Sequence, residues 1–247
     1  MKSLTCYLMI LAAIMILPPL AGCQPAPPDH QQVLVVTTPD WNTAPGEMRL
    51  YQWSSGQWQQ HGAVIPVIVG RNGMAWGVGT EDFTSRPGPV KHEGDKRSPA
   101  GVFELGEAFG YAPPQDAAWC KLPYVHVTAA TMCIEDTTSR VYNRILDEGS
   151  TPPDWTSTDH MLRKDDLYEW GVFVAHNYPD SRSAAGSCIF LHVWNPTGNG
   201  TAGCTSMDKQ QMKDLIAWLD PVHKPLLVQM PADQYPAFRS QLGLPPF

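Results

Sequence analysis

Residues Ile189 to Ser206 read IFLHVWNPTGNGTAGCTS. An apolar run opens this stretch and reads as a strand that delivers His192, a glycine-rich loop follows, and Gly203-Cys204 closes it. Beyond it the pattern changes. Met212, Leu215, Ile216 and Leu219 recur at i, i+3, i+4 and i+7, which predicts an amphipathic helix over Met207 to Leu219 that stops near Asp220-Pro221. Cys204 is thus expected just before a helix, where unpaired N–H groups and the positive end of the helix dipole favour a thiolate. An imidazole within reach can take the thiol proton and later deliver it to a leaving amine. Gly203 allows close approach of backbone to substrate, and amides around Cys204 can hold an oxyanion. The chemistry is that of a Cys/His acyl-transfer site. At this point the alternative stays open that Cys204 is disulfide-bonded and His192 an ordinary strand residue.

Working outward, short β-type runs dominate. Gln32 to Thr38 (QVLVVTT) is rich in β-branched residues. Met48 to Trp53 and Gln57 to His61 flank the hairpin signal Ser54-Ser55-Gly56, and Val64 to Val69 leads through the turn Arg71-Asn72-Gly73 into Met74 to Val78. Val102 to Leu105, Tyr124 to Thr128, Gly171 to His176, Ser187 to Trp194 and Leu226 to Gln229 complete the strands. Thr84 to Gly101 reads as a loop and Thr151 to Asp166 as a surface excursion. The 24 prolines argue against a helical bundle, because proline cannot sit in helix interiors. With 43% hydrophobic and 17% charged residues the chain can build a core, and one mainly β domain over residues 32–231 is expected, followed at 232–247 by a short surface helix and tail. The net charge of −7 excludes a nucleic-acid binder, which needs a basic face to displace counterions.

The N-terminus reads as an address. Lys2 precedes an apolar run from Tyr7 to Leu17, too short to span a bilayer comfortably. The run ends in Leu20-Ala21-Gly22-Cys23, the pattern of a bacterial lipobox. Residues 1–22 are then a lipoprotein signal peptide, Cys23 carries the lipid, and 23–31 (with the proline-rich QPAPPDH) is a tether. Gln24 in place of aspartate implies outer-membrane sorting in a diderm host. The expectation is a periplasmic, lipid-anchored domain that meets the membrane only through its N-terminal lipid. Of six cysteines, Cys6 leaves with the signal peptide and Cys23 is lipidated. Cys120, Cys133, Cys188 and Cys204 remain in an oxidising compartment. They allow three pairings if all are bonded, or one bridge and one spare cysteine if one is a reactive thiol. No C-x-x-C pair supports a zinc ribbon.

The segment from His192 to Cys204 resembles the catalytic motif of the L,D-transpeptidase (YkuD-type) family, in which histidine comes first and a S/T-x-G-C element follows. Lys91-His-Glu-Gly-Asp95 and Ser98-Pro99-Ala-Gly101-Val-Phe103 are similar to the family's K-x-E-G-D and T/S-P-x-G-x-F segments. Asp136 to Asn143, Tyr168 to Asn177 and Gly186 to His192 look like a periplasmic, lipoprotein branch. The likeness spans Val64 to Met230. It implies a β-sandwich of mixed sheets with the His192 strand central and one main helix after the cysteine. Cys204 would be the nucleophile, His192 the base, and Gly203 part of the oxyanion region. Thr201, Ser206 and Trp194 would face substrate, with no metal or cofactor required. His176, on a strand expected beside that of His192, is a further substrate-binding candidate that could shape the site, against the alternative of a satisfied structural histidine. It also favours a Cys133–Cys188 bridge, with Cys120–Cys133 as runner-up. Three departures stand out: Thr201 where serine is usual, Ser206 where arginine is usual, and a short loop between His192 and Cys204. The missing arginine bears on substrate handling, since a guanidinium is the natural partner of a peptide carboxylate.

The implied function is a peptidoglycan L,D-transpeptidase. Cys204 would form a thioester with a tetrapeptide stem and pass it to an amine, giving a 3→3 crosslink. Alternatives are an L,D-carboxypeptidase that uses water, an enzyme that anchors a protein amine, or a catalytically weak wall-binding lipoprotein. An NlpC-type cysteine peptidase fits poorly, because its cysteine precedes its histidine, and here only His223 follows Cys204.

Overall fold

The computed structural model describes residues 28–195 and 200–245. Residues 1–27, with the expected signal peptide and Cys23, residues 196–199 of the glycine-rich loop and residues 246–247 lie outside them. The described chain is mainly β. An opening meander comprises β1 (Gln32–Thr38), β2 (Pro45–Ser54) and β3 (Gln57–Ile68). Then come β4 (Met74–Trp76), β5 (Ser98–Gly110) and β6 (Tyr124–His126), followed by β7 (Thr131–Ile134), β8 (Ile145–Asp147) and β9 (Thr158–His160). The second half holds β10 (Trp170–Val174), β11 (Phe190–Val193), β12 (Thr205–Met207), α1 (Lys209–Trp218), β13 (Leu226–Pro231) and α2 (Tyr235–Leu242).

The main sheet runs β10-β11-β12-β3-β2-β1-β13-β5-β4, with β6 beside β5. It is mixed, since β1–β13, β11–β12, β4–β5 and β5–β6 are parallel and the other pairs antiparallel. β5 closes it. Gly101 to Glu104 pair with β13, and Leu105 to Gly110 pair with β10. The two faces of the expected sandwich therefore belong to one sheet wrapped around its core. β11 lies between β10 and β12, as expected for the His192 strand. A separate three-stranded sheet, β8-β7-β9, stands outside this wrap.

Three boundaries differ from the sequence reading, each for a local reason. The runs Gln57–His61 and Val64–Val69 join into the single strand β3. Between the pairs Met48–Ile65 and Leu50–His61, β2 has one residue and β3 has three, and Gly62 at φ +69° lies in this bulge. β5 extends across Ser98–Gly110, past the expected Val102–Leu105, because it has two different partners in succession. Helix α1 begins at Lys209 rather than Met207. Thr205–Met207 is drawn into the sheet beside β11, and the Asp208 carboxylate then caps the Gln210 and Gln211 amides at 2.8 and 3.4 Å. The face with Met212, Leu215 and Ile216 is buried, against β10 and β11.

The C-terminal helix is not a surface appendage. Tyr235 and Phe238, three residues apart on one face of α2, are buried in the core. Phe238 stacks on Trp76 at 5.6 Å and meets Phe83 at 5.4 Å, with the Arg86 guanidinium 4.3 Å over its ring. The expected surface placement of 232–247 is thus corrected, because these aromatics complete a cluster that the sheet leaves open.

Candidate active site

Strands β11 and β12 run parallel with Leu191 opposite Thr205 and His192 opposite Ser206. Extending that register sets Cys204 beside Phe190, and strand alternation puts Phe190, His192, Cys204 and Ser206 on one face. The Phe190 N–H donates to Cys204 Sγ at 3.3 Å, and the thiol reaches Cys188 O at 3.5 Å. His192, Cys204 and Ser206 line one cavity of about 250 Å3, together with Thr201, Arg71 and Arg163. A second cavity, of about 330 Å3, reaches the same sulfur from the other side. Glu93, Glu135, Asp159 and Lys91 contribute to it, and Arg163, Tyr168, Ala202 and Cys204 belong to both. The sulfur therefore stands where two cavities meet.

Cys204 does not sit at a helix N-terminus. Strand β12 and the cap Asp208 separate it from α1, so the dipole of that helix does not explain its reactivity. Burial pushes its thiol up to about 12, against the pull of the Phe190 amide. The empty site holds a neutral thiol, not the thiolate expected from the sequence. The turn before it is fixed through the Cys204 carbonyl, which accepts from Thr201 Oγ1 at 2.5 Å and from Ser98 Oγ at 2.9 Å. Thr201 Oγ1 also accepts from the Gly203 N–H at 3.1 Å. That amide is committed internally, so an oxyanion role for Gly203 requires Thr201 to yield. A Cβ at Gly203 would stand 3.2 Å from Ile189 Cδ1 and 3.3 Å from Arg97 O, which is why glycine is needed there.

The His192 ring is oriented by its own backbone. Nδ1 lies 2.7 Å from Val193 O. A carbonyl only accepts, so Nδ1 carries the proton and Nε2 keeps its lone pair. Burial pushes the imidazole down to about 4, only partly offset by that hydrogen bond. The ring of Tyr168 packs edge-on at 5.3 Å, and the Tyr168 hydroxyl donates to Asp159 at 2.6 Å. Arg163 lies over the Tyr168 ring at 5.1 Å and is held by Asp165 through Nε and Nη2 at 2.8 and 2.7 Å. In the second cavity, burial and then the charges of Asp159 and Glu93 push the Glu135 carboxyl up to about 7.

The Lys91 to Asp95 segment is a tight, buried turn. Lys91 Nζ pairs with Asp95 at 2.6 Å, both almost fully buried, and Asp95 also accepts from the His92 and Arg97 amides. Glu93 accepts from Tyr142 at 2.5 Å and from Ser187 at 2.7 Å. These residues brace the wall of the second cavity.

Cys133 and Cys188 are bonded, while Cys120 and Cys204 are reduced. Closing a loop of 55 residues is worth about 4 kcal/mol on a chain-entropy basis. The bridge and the Asn143 side chain, which accepts from the Cys188 N–H at 2.9 Å, hold Cys188 at φ +54° beside Cys204.

Two of the residues expected to face substrate line neither cavity. His176 is fully buried, with Nδ1 3.1 Å from Val78 O and Nε2 3.0 Å from Ala185 O, and it packs against Phe103. The reason is register: His192 pairs with Gly171 at one end of β10, and His176 lies beyond the other end, about 16 Å along the strand. Trp194, just past the end of β11, lines neither cavity either. Conversely, Tyr168, Arg163, Asp159, Glu135 and Arg71 line the site without having been singled out. The supposed surface excursion supplies two of them, and its only advance signal was the apolar Met161 at the end of a polar stretch; Met161 is buried. Among the described residues no three of His, Cys, Asp or Glu are grouped as a metal ion would need.

A family model described as the L,D-transpeptidase catalytic domain (YkuD) matches residues 44–228. No curated protein matches the chain in sequence. Two solved structures of the helical cell shape determining protein Pgp2 from Campylobacter jejuni, one of them a K307A mutant, are similar at 14% identity, with TM-scores of 0.40 and 0.39. In each case the likeness covers 82% of this chain and 48% of the other, so this chain spans about half the length of that protein.

Proposed function

As the chain belongs to the family of YkuD L,D-transpeptidase catalytic domains, we propose that it is a peptidoglycan L,D-transpeptidase with Cys204 as nucleophile and His192 as base. One observation carries this reading. A reduced cysteine and an imidazole with its Nε2 lone pair available share one cavity, on neighbouring strands in fixed register. His192 Nε2 takes the Sγ proton as sulfur attacks the carbonyl carbon between diaminopimelate and D-alanine. Starting from a neutral thiol and a neutral imidazole, proton transfer accompanies the attack. The C–N bond breaks, the imidazolium returns its proton to the departing amine of D-alanine, and a thioester remains. An amine of a second stem then attacks that thioester and gives a proton to His192. The C–S bond breaks, sulfur is reprotonated, and a 3→3 crosslink is left.

The second cavity supports an amine acceptor over water. Glu93, Glu135 and Asp159 line it, and they suit an incoming ammonium. Glu135, with its carboxyl near 7, is matched to remove the proton that an ammonium must lose before it attacks. Incubating the purified protein with digested sacculi and reading the products by mass tests this. Crosslinked dimers that have lost one D-alanine are expected. Tripeptide monomers alone would make the protein an L,D-carboxypeptidase, and no change in any muropeptide would remove the enzymatic reading.

We also propose that the domain is lipid-anchored in the periplasm through Cys23. Support comes from the apolar run and Leu20-Ala21-Gly22-Cys23. Mass spectrometry of the mature N-terminus is expected to find a diacylglyceryl-modified Cys23. A mature chain that starts elsewhere would sink this proposal.

A further inference from the structure

The cavity shared by His192 and Cys204 has no carboxylate among its described lining residues, but it has two guanidinium groups, Arg71 and Arg163. They are not equivalent. Arg163 is held bidentately by Asp165, its Nη1 faces Asp159 at 3.7 Å, and its plane lies over Tyr168. Its charge is already answered within the fold. Arg71 is exposed, and its side chain forms no hydrogen bond or ion pair with any described residue. Its backbone, by contrast, is fixed. The Arg71 N–H donates to Thr201 O at 2.9 Å, Gly70 bridges to Thr201, and the Thr201 N–H donates to Val69 O at 3.0 Å. A Cβ at Gly200 would come within 2.3 Å of Arg71 Cα, so glycine permits this close crossing. The chain leaving β3 thus carries to the turn that presents Cys204 a guanidinium with no partner among the described residues. It departs from the point where Ile68 pairs with Ser206.

We propose that Arg71 is the specificity-determining cation of this site: its guanidinium binds a carboxylate of the stem peptide in the cavity shared by His192 and Cys204. The inference rests on the transpeptidase reading for the identity of the peptide. The chemistry recognised is a carboxylate, and a stem tetrapeptide offers two near the scissile bond: the side-chain carboxylate of diaminopimelate and the terminal carboxylate of D-alanine. A planar fork with no competing partner among the described residues suits either.

The test compares the free tetrapeptide with two analogues, each amidated at one of these carboxylates. The binding arm uses Cys204→Ala protein and needs no turnover. The kinetic arm uses wild type. Preference for acid over amide at one position is expected to be about tenfold in affinity and in kcat/KM, as for one charge-assisted hydrogen bond. Arg71→Ala is expected to remove that preference through KM, with kcat and melting temperature little changed, and Arg71→Lys to keep part of it. The position at which amidation makes Arg71→Ala silent identifies the partner. The proposal is overturned if wild type does not distinguish acid from amide at either position, if Arg71→Ala still distinguishes them, or if Arg163→Gln removes the preference while Arg71→Ala does not. Binding with an intact preference but no turnover by wild type would sink the enzymatic reading and leave Arg71 standing. No binding of any peptide would sink both.

Discussion

Cys204→Ala is expected to lower turnover of a stem tetrapeptide by about 10^4-fold or more, to the level of the uncatalysed reaction. No other described reduced thiol lines either cavity that meets at this position, and Cys120, the other reduced cysteine, lies elsewhere in the fold. The loss should not come from unfolding. The side chain removed is small and the turn that carries it is held through the Cys204 carbonyl, so the stability cost is about 1 kcal/mol. His192→Gln should fall nearly as far, because a thiol held near 12 by burial needs the imidazole to take its proton. Residues that act as one unit are not additive, so the double variant should be no slower than the worse single one. Steady-state release of D-alanine is the measurement, with thermal melting beside it. Wild-type release by Cys204→Ala would end the assignment.

The second large effect is on stability in mild acid. Burial holds both His192 and His176 down near 4, against about 6.5 in an unfolded chain. Both imidazoles are therefore neutral in the fold, and below pH 6.5 the unfolded chain binds more protons than the native one. Stability is full above pH 6.5 and is lost as pH falls toward 4, by about 3 kcal/mol for each histidine. Glu135 acts in the opposite sense. Its carboxyl is raised in the fold, so the native state gains relative stability as pH falls from 7 through the ordinary carboxylate range. Asp159, whose carboxyl is also raised by burial, acts with it. Denaturant unfolding at pH 7, 6, 5 and 4 should show the net of these opposing groups, and Glu135→Gln should make the loss toward pH 4 steeper by removing one of the two carboxyls that oppose the histidines. Asp82 and Asp154, held near 2 by hydrogen bonds from Thr84 and Ser139, act only below this window. A Glu135→Gln variant whose stability stays flat between pH 7 and 4 would contradict the neutral, buried state of both rings.

The centre of the site was legible because its information is local. One strand, one turn and one cysteine lie within 16 residues, and the apolar alternation around His192 fixes which face the imidazole takes. The mainly β architecture was legible for the same reason, since β-branched runs and glycine turns report on their own neighbourhood. What failed was whatever depends on a distant partner. The start of α1 is set by the pairing of Thr205–Met207 with β11, and helical periodicity cannot see that pairing. The length of β5 depends on β13 and β10, which lie more than 60 residues further along the chain. Arg163 and Asp159 come from a stretch whose polarity resembles any surface loop, and Arg71 from what reads as an ordinary turn. His176 misled by similarity alone: its strand neighbours that of His192, but at the wrong end.

The closure of the sheet through β5 has a consequence for how a substrate can be read. His192 lies on a strand with partners on both sides, so no bare row of amides and carbonyls runs beside it. A peptide cannot dock there as an added strand, the mode in which main-chain recognition rewards extended chains of uniform handedness. Discrimination must pass through separate contacts to end groups and branches. Such a binding mode does not require one handedness throughout the ligand, which suits a stem of mixed L- and D-residues.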